Sequence, residues 1–141
     1  MDDLDELLEE MLCKTYNQII NNEERILKSM GALSLKEFHT LDMVHNCERN
    51  ACNSLGTIAQ RLGITLSTCT INVDRLIQKG YLQKVKLNGD KRVSYISVTS
   101  NGLTLLKRRD ILHHKVVRSA IKNLSASEKV ALLSAVNKMD F

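Results

Sequence analysis

A polar surface that could bind DNA is predicted in the middle of the chain, in the stretch TLSTCTINVDRLIQKG, residues 65–80. At helical spacing, one side of this stretch collects hydroxyl, amide and guanidinium groups. Side chains of these types suit base edges and phosphates in the major groove of a DNA duplex. An ordinary helical hairpin whose polar side is only solvated is the alternative. The predicted DNA contacts of this helix are Thr65, Ser67, Thr68, Ile71, Asn72 and Arg75.

The opposite side of the same helix is apolar, and a shorter helical stretch, SLGTIAQRLG, precedes it. Ala59 is small where the two helices would cross closely, and Gly63 suits a left-handed turn between them. Helix, tight turn and second helix together predict a helix-turn-helix. The residues expected to face the core are Leu66, Cys69, Val73, Leu76 and Ile77.

A β-hairpin is predicted directly after the helix-turn-helix. Asn88-Gly89 is a strong signal for a tight hairpin turn, and β-branched and aromatic residues flank it on both sides. A hairpin at this place would form a wing that leans on the helices and extends along DNA. Asp90 and Arg92 would share one face, so the carboxylate could aim the guanidinium into a narrow minor groove. A charged tip that only aids solubility is the alternative. The phosphate contacts predicted for the hairpin are Lys84, Lys86 and Lys91.

Long helices at both ends of the chain must position this central unit. The fold class expected is therefore mostly α with a small β-wing, a winged helix-turn-helix joined to a helical dimerisation region. Ser34 with Glu37, and Ser125 with Glu128, have the spacing of capping boxes. The terminal helices carry more apolar surface than one thin layer needs, so we expect a second copy of the chain to cover it. The predicted helices are 3–29, 34–47, 54–63, 65–80, 99–124 and 125–139.

The order of these elements resembles the MarR family of winged-helix transcriptional regulators. The segments that carry the resemblance are LGTIAQRLGIT, VDRLIQKGYLQKV and GDKRVSYISVTSNG, together with the long terminal helices. The resemblance implies an obligate homodimer that binds a palindromic operator with one DNA lobe per protomer. Residues 1–141 would form a single unit, with dimerisation helices in 1–48 and 100–141 and the DNA-binding lobe in 54–99.

Two shorter segments, LSLKEFHTLDMV and HHKVVRSAI, resemble the FabT-type repressors of fatty-acid synthesis genes. That resemblance implies a long acyl chain on acyl carrier protein as co-repressor. A tunnel among the first, second and fifth helices would hold the chain, and each candidate is otherwise an ordinary core or structural residue. The acyl-pocket candidates are Ile19, Ile20, Phe38, Leu41, Val44, Leu112 and Val116, with His39, His113 and His114 at a polar mouth. The candidates for binding the acidic carrier, or for a solvated helix face, are Lys107, Arg108, Arg109, Lys115 and Arg118.

Charge, length and cysteine usage limit the remaining function classes. The chain has 20 Lys and Arg residues against 16 Asp and Glu, and six of the acids lie in the first ten residues, where no base occurs. The rest is therefore basic, which favours a polyanionic partner. No run of about 18 apolar residues occurs and no signal-peptide pattern begins the chain, so we expect a cytoplasmic protein without a membrane partner.

The four cysteines have no Cys-x-x-Cys pair, so we expect no metal and no other cofactor, and packed thiols. A peroxide-sensing regulator that uses Cys13 near Tyr16 is the alternative function, although the acidic residues close to Cys13 oppose a reactive thiolate. The sequence contains no nucleophile–base pairing and no Gly-rich phosphate loop, so we expect no enzymatic activity.

Overall fold

The computed structural model describes residues 2–30, 33–86 and 93–140. Within these residues none of the helices is long and apolar enough to cross a membrane. The mostly helical fold with a small two-stranded antiparallel sheet confirms the predicted fold class. The elements are α1 (Asp3–Met30), α2 (Leu35–Arg49), α3 (Leu55–Leu62), α4 (Leu66–Gln78), β1 (Leu82–Val85), β2 (Tyr95–Val98), α5 (Ser100–Ile121) and α6 (Ala126–Val136).

Hydroxyl side chains start the helices after α1. Thr65 caps α4 by accepting a hydrogen bond from the Thr68 N–H at 3.2 Å, and Ser34 caps α2 in the same way. Before α6, Ser125 forms the predicted capping box, because its own N–H donates to the Glu128 carboxylate at 2.7 Å. At Ser34 the predicted capping box is wrong in one of its two hydrogen bonds. The Glu37 carboxylate, expected to accept from the Ser34 N–H, accepts a hydrogen bond from Lys79 Nζ at 2.6 Å instead.

Gly63 makes the turn of the helix-turn-helix. Its φ of 66° lies in the left-handed region, and its N–H donates to Gln60 O, which ends α3. The predicted helix-turn-helix is therefore confirmed. A second glycine, Gly102, permits the close approach of α5 to the sheet, because a Cβ there would lie 2.5 Å from Tyr81 O and 2.6 Å from Val98 Cγ1.

The core surrounds α2. Four of its side chains, Phe38, Leu41, Val44 and Cys47, are fully buried. They lie in one apolar cluster with residues of every other element except α6, and burial of this area is the main term that stabilises the fold. The fully buried members from the other elements include Ile58, Cys69, Leu76, Leu82, Ile96 and Leu105.

The sheet and α4 carry most of the residues predicted to contact DNA. Strand β1 pairs with β2 in antiparallel register, from Leu82 opposite Val98 to Val85 opposite Tyr95. The predicted hairpin is thus present at its base. Its tip, with Asn88-Gly89, Asp90, Lys91 and Arg92, lies outside the described residues.

The terminal helices leave most of their apolar surface open. α1 and α5 pack on each other, but among the described residues of α1 the buried apolar side chains, Ile26 and Leu27, lie near its end. Every residue of α6 is exposed. The exposed large apolar side chains of α1, α5 and α6 are Leu4, Leu7, Met11, Leu12, Tyr16, Ile111, Val117, Val130, Leu132, Leu133 and Val136.

Candidate nucleic-acid interface

The polar residues predicted on α4 lie together on its exposed side. Ser67, Thr68, Ile71 and Arg75 are exposed, and Asn72 is half-buried at the edge of this face. The exposed cap residue Thr65 belongs to the same surface, and its hydroxyl donates to the Thr68 hydroxyl at 2.9 Å. On the opposite side, Cys69, Val73 and Leu76 are buried and Ile77 is half-buried. We call the exposed set, with Thr65 and Asn72, the α4 face.

Leu66 does not face the core as predicted, because its side chain is 56% exposed. The apolar periodicity that holds in the middle of α4 therefore fails at its first residue. Ile71 is exposed to a similar extent, 53%. Two exposed aliphatic side chains among hydroxyls suit contact with thymine methyl groups. The exposure of Leu66 had no signal in the sequence pattern.

The wing, residues 82–98, presents two of its predicted lysines. Lys84 on β1 and Lys86 just after it are exposed, whereas Leu82 at the base of the strand is buried. Lys84 and Lys86 therefore stand where cationic groups can meet phosphates. Asp90, Lys91 and Arg92 belong to the undescribed tip, so their predicted roles stay predictions.

Residues of α2 and of the connector 50–54 hold the wing in place. The Glu48 carboxylate accepts hydrogen bonds from the Ser97 hydroxyl at 2.5 Å and from the Val98 N–H at 3.1 Å. Asn53 bonds Ile96 twice, through its side-chain amide at 2.7 Å and its backbone carbonyl at 3.0 Å. These anchors come from more than forty residues away in the chain, and sequence reasoning missed them because a polar connector carries no signal of its partner.

An ion pair holds the C-terminal end of α4. Lys79, its C-cap residue, donates from Nζ to the carboxylate of Glu37 on α2 at 2.6 Å. Glu37 is 6% exposed, so its charge is compensated almost entirely inside the protein. The pair joins the end of α4 to α2. It also was not predicted, since Glu37 was assigned to a cap.

The acyl-pocket candidates do not line one common cavity. Phe38, Leu41 and Val44 are fully buried in the core, whereas Leu112 and Val116 line a surface cleft of about 340 Å³ between α1 and α5. A neighbouring cleft of about 370 Å³ is lined by Arg25, Ile26, Ser29, Arg108, Ile111 and Leu112. Ile19 and Ile20 are half-buried and line neither cleft.

The histidines proposed for a polar mouth also differ in their surroundings. His39 Nε2 lies 3.0 Å from the carboxylate of Glu23, a residue that is 5% exposed. His113 Nε2 is buried and has no hydrogen-bond partner among the described residues. His114 is exposed. The three rings therefore do not form one polar group.

Four of the five basic carrier-binding candidates lie on the outside of α5, and Arg109 does not. The Arg109 guanidinium binds Asp42 Oδ1 at 2.7 Å and Asp110 Oδ1 at 3.1 Å, and it covers the Phe38 ring at 5.7 Å from the ring centre. Burial lowers the pKa of this group, but its bonds to the two carboxylates outweigh burial and raise the pKa above its usual value. Arg109 was predicted to be available to a carrier protein. These contacts correct that prediction, because they leave the Arg109 side chain only 13% exposed. The exposed candidates are Lys107, Arg108, Lys115 and Arg118.

The cysteines follow the packing prediction only in part. Cys47 and Cys69 are buried, and burial raises the pKa of the Cys69 thiol. Cys13 is exposed on α1, so its predicted packing within the chain is wrong. Among the described residues, no three His, Cys, Asp or Glu side chains are grouped closely enough to hold a metal ion.

The fold is similar to that of solved winged-helix proteins. With Streptococcus pneumoniae FabT, solved in complex with DNA, the TM-score is 0.68 at 22% identity, over 96% of this chain and 93% of that one. Residues 33–94, which run from the start of α2 into the wing, match the model of the MarR family. The chain has the MarR-type winged-helix fold. The family resemblance stated from the sequence is supported for the segment that carries the α4 face.

Two curated relatives have sequences similar to this MarR-type chain. The HTH-type transcriptional regulator PecS of Dickeya dadantii is 30% identical over 108 residues, which are 77% of this chain. The chain spans 65% of the length of PecS. The HTH-type transcriptional regulator PapX of Escherichia coli is 28% identical over 120 residues, or 83% of this chain and 71% of PapX. The names of both relatives describe transcriptional regulators rather than enzymes.

Proposed function

We propose that the chain is a DNA-binding transcriptional regulator of the MarR family and has no enzymatic activity. The observation that carries this proposal is the α4 face, a run of exposed hydroxyl, amide and guanidinium groups beside a wing with exposed lysines. A recognition helix contacts base edges with residues near its N-terminus, and the hydroxyls lie at that end of α4. Arg75, Lys84 and Lys86 are exposed and supply positive charge on α4 and on the wing.

The working form in this proposal is a homodimer with a palindromic operator. The exposed apolar side chains of α1, α5 and α6 support it, because a surface of this kind is covered in most soluble proteins. A second copy of the chain could cover this apolar surface, and it would also supply a second α4 face. Two-fold symmetry would then place the two recognition helices about one DNA turn apart. Residues 1–48 and 100–141 would be the dimerisation region, and 54–99 the DNA-binding lobe.

DNA binding is tested first at Arg75. Arg75→Ala should weaken operator binding by about 1–3 kcal/mol, the usual worth of a specific groove contact. The operator is first selected from a random-sequence duplex library, and affinity is measured at one fixed salt concentration. Lys36→Ala, an exposed cation on α2, is the matched control and should bind like the wild type. Arg92→Ala at the wing tip should behave like Arg75→Ala. Equal affinity for all four proteins would reject the DNA-binding surface.

We further propose that the chain represses fatty-acid synthesis genes and that a long acyl chain on acyl carrier protein raises its operator affinity. The resemblance of residues 33–44 and 113–121 to FabT-type repressors supports the proposal. The α1–α5 cleft places Leu112, Val116 and Ala120 beside polar residues such as Gln18 and Asn22. Exposed cations on α5 could receive an acidic carrier. Phe38, Leu41 and Val44 would join such a site only if the core opened.

The effector is tested with carriers that bear acyl chains of increasing length. Operator affinity should rise with chain length until the site is full, since each buried CH₂ contributes at most about 0.8 kcal/mol. A ligand acts only through a preference for the DNA-competent arrangement. Val116→Gln should blunt the response while basal operator affinity stays at the wild-type value, which is the control. A flat response across chain lengths would reject the acyl effector and leave the DNA-binding proposal untouched.

A peroxide-sensing regulator that uses Cys13 is the second candidate, and the exposure of this thiol favours it. If peroxide releases the wild-type protein from its operator while Cys13→Ser stays bound, this candidate replaces the acyl effector. Unchanged binding of both proteins under peroxide would reject it.

A further inference from the structure

Two thiols meet where α2 ends. Cys47 lies in the last turns of α2, and the chain turns back after Arg49 because Ala51 adopts a φ of 53°. The Cys52 N–H then donates to Cys47 O at 2.9 Å and the Ala51 N–H to Glu48 O at 3.2 Å, the two bonds of a Schellman motif. In this motif the side chains at the positions of Cys47 and Cys52 face each other. Alanine takes a positive φ at a cost in free energy, so the surrounding contacts hold this turn in place. Two backbones paired in this way lie within the range that a disulfide spans.

The two thiols differ in access to solvent. Cys47 is 0% exposed, whereas Cys52 is half-buried. The charge of the Arg61 guanidinium acts on the Cys47 thiol. Burial, and after it the neighbouring Cys52, raises the pKa of Cys47, while Arg61 acts in the opposite direction. This arrangement places an accessible thiol in front of a protected one.

A pair of sulfurs fits covalent chemistry better than a structural metal. Zinc sites in proteins use three or four protein ligands. In the described part of the chain, neither thiol belongs to a group of three His, Cys, Asp or Glu residues that could hold a metal ion. The chemistry open to two adjacent thiols without a third ligand is the formation of a bond between them.

We propose that Cys47 and Cys52 are a peroxide-reactive pair that closes to an intrachain disulfide. The Cys52 sulfur attacks one oxygen of a peroxide, the O–O bond breaks, and the thiol proton goes to the departing oxygen, which leaves as an alcohol or water. Cys52 is then a sulfenic acid. The Cys47 sulfur attacks the Cys52 sulfur, the S–O bond breaks, and the hydroxyl leaves with the Cys47 proton as water. The two sulfurs are oxidised by two electrons, and the peroxide is reduced.

The position of this pair connects it with the wing. Glu48 and Asn53, the residues next to Cys47 and Cys52, are the two that bond β2. A disulfide between their neighbours restrains the end of α2 and the connector together. The amides of Ile96 and Val98, which donate to Asn53 O and to Glu48, should therefore open less often in the oxidised chain. The proposal concerns sulfur chemistry and does not depend on DNA binding.

The experiment uses peptide mapping of the full chain. The reduced protein is treated with hydrogen peroxide, blocked with an alkylating reagent and digested with trypsin without reduction. Cleavage after Lys36, Arg49 and Arg61 places the two thiols on separate peptides, 37–49 and 50–61. Cys13 and Cys69 fall on two others. We expect peptides 37–49 and 50–61 to appear covalently linked, with a loss of about 2 Da per intact chain.

Three variants identify the order of events. In Cys47→Ser the oxidation should stop at a sulfenic acid on Cys52, which a dimedone reagent traps. Cys13→Ser and Cys69→Ser should still give the linked peptides. The wild-type map decides the question even if Cys47→Ser fails to fold. Recovery of both peptides in fully alkylated form, or a Cys13 link between chains in their place, would overturn the proposal. Equal hydrogen-exchange rates at Ile96 and Val98 in reduced and oxidised protein would overturn the connection with the wing.

Discussion

The carboxylate of Glu37 is a buried charge that is paired with the end of α4. It is 6% exposed, and Lys79 Nζ binds it at 2.6 Å from the end of α4. Its neighbour Ser34 uses only its own hydroxyl to cap α2. A buried carboxylate stabilises a fold only while a partner compensates its charge. The pair therefore serves to fix α4 on α2 rather than to cap α2.

Replacement of Glu37 tests this role. Glu37→Gln keeps the shape but loses the charge-assisted bond, so the free energy of unfolding should fall by about 1–2 kcal/mol. Urea unfolding monitored by circular dichroism measures the change. Glu24→Gln, an exposed glutamate of α1, is the control and should unfold like the wild type. Unfolding of Glu37→Gln at the wild-type midpoint would show that the pair adds nothing to stability.

At the scale of elements, the wing depends on α2 as much as on its own two strands. A two-stranded ribbon alone is marginal in water. Here Glu48 binds both Ser97 and Val98, and the Asn53 backbone and side chain bind Ile96. These bonds make the end of α2 and the connector a support along one strand.

Removal of the support should loosen the wing without unfolding the core. Glu48→Ala leaves the Val98 N–H unpaired, so we expect faster hydrogen exchange at Val98 and a loss of about 1–2 kcal/mol in stability. Operator affinity should fall as well, since a mobile wing must be ordered on binding. Arg49→Ala, the next and exposed residue of α2, is the control. A wild-type hydrogen-exchange rate at Val98 in Glu48→Ala would show that Glu48 does not anchor the wing.

At the scale of the whole molecule, the described residues of one chain leave the apolar side chains of α1, α5 and α6 exposed to solvent. In α6, Val130 is 69% exposed and Leu133 is 63% exposed. A helix that buries so little of its apolar side against its own chain gains little stability from packing. A second copy of the chain can supply the missing contacts, and the dimer then sets the distance between the two α4 faces.

A charge in this surface should separate the protomers. Leu133→Glu is expected to shift the protein from dimer to monomer at micromolar concentration, because the carboxylate would be buried without a partner. Sedimentation velocity measures the change. Lys129→Glu, on the same helix, is the control for added negative charge alone. A Leu133→Glu protein that remains dimeric would exclude α6 from the interface.

The sequence alone determined the kind and order of the elements in this protein. Hydroxyl caps, Gly63 and helical periodicity are local signals, so the helix-turn-helix, the hairpin base and most of the α4 face were predictable from neighbouring residues. Helix ends were less exact, as α5 stops at Ile121, short of the predicted Leu124. The cause is that the last turns of a helix have few contacts to fix them.

Only the tertiary structure decided which polar residues meet across the chain. Glu37 with Lys79, Glu48 with β2 and Arg109 with Asp42 join segments far apart in sequence, and neither partner carries a local sign of the other. The exposure of Leu66 has the same origin, because it depends on which other elements surround the residue rather than on the order of residues within α4. Burial and pairing depend on distances between elements, whereas a sequence pattern specifies only the surfaces that each element offers.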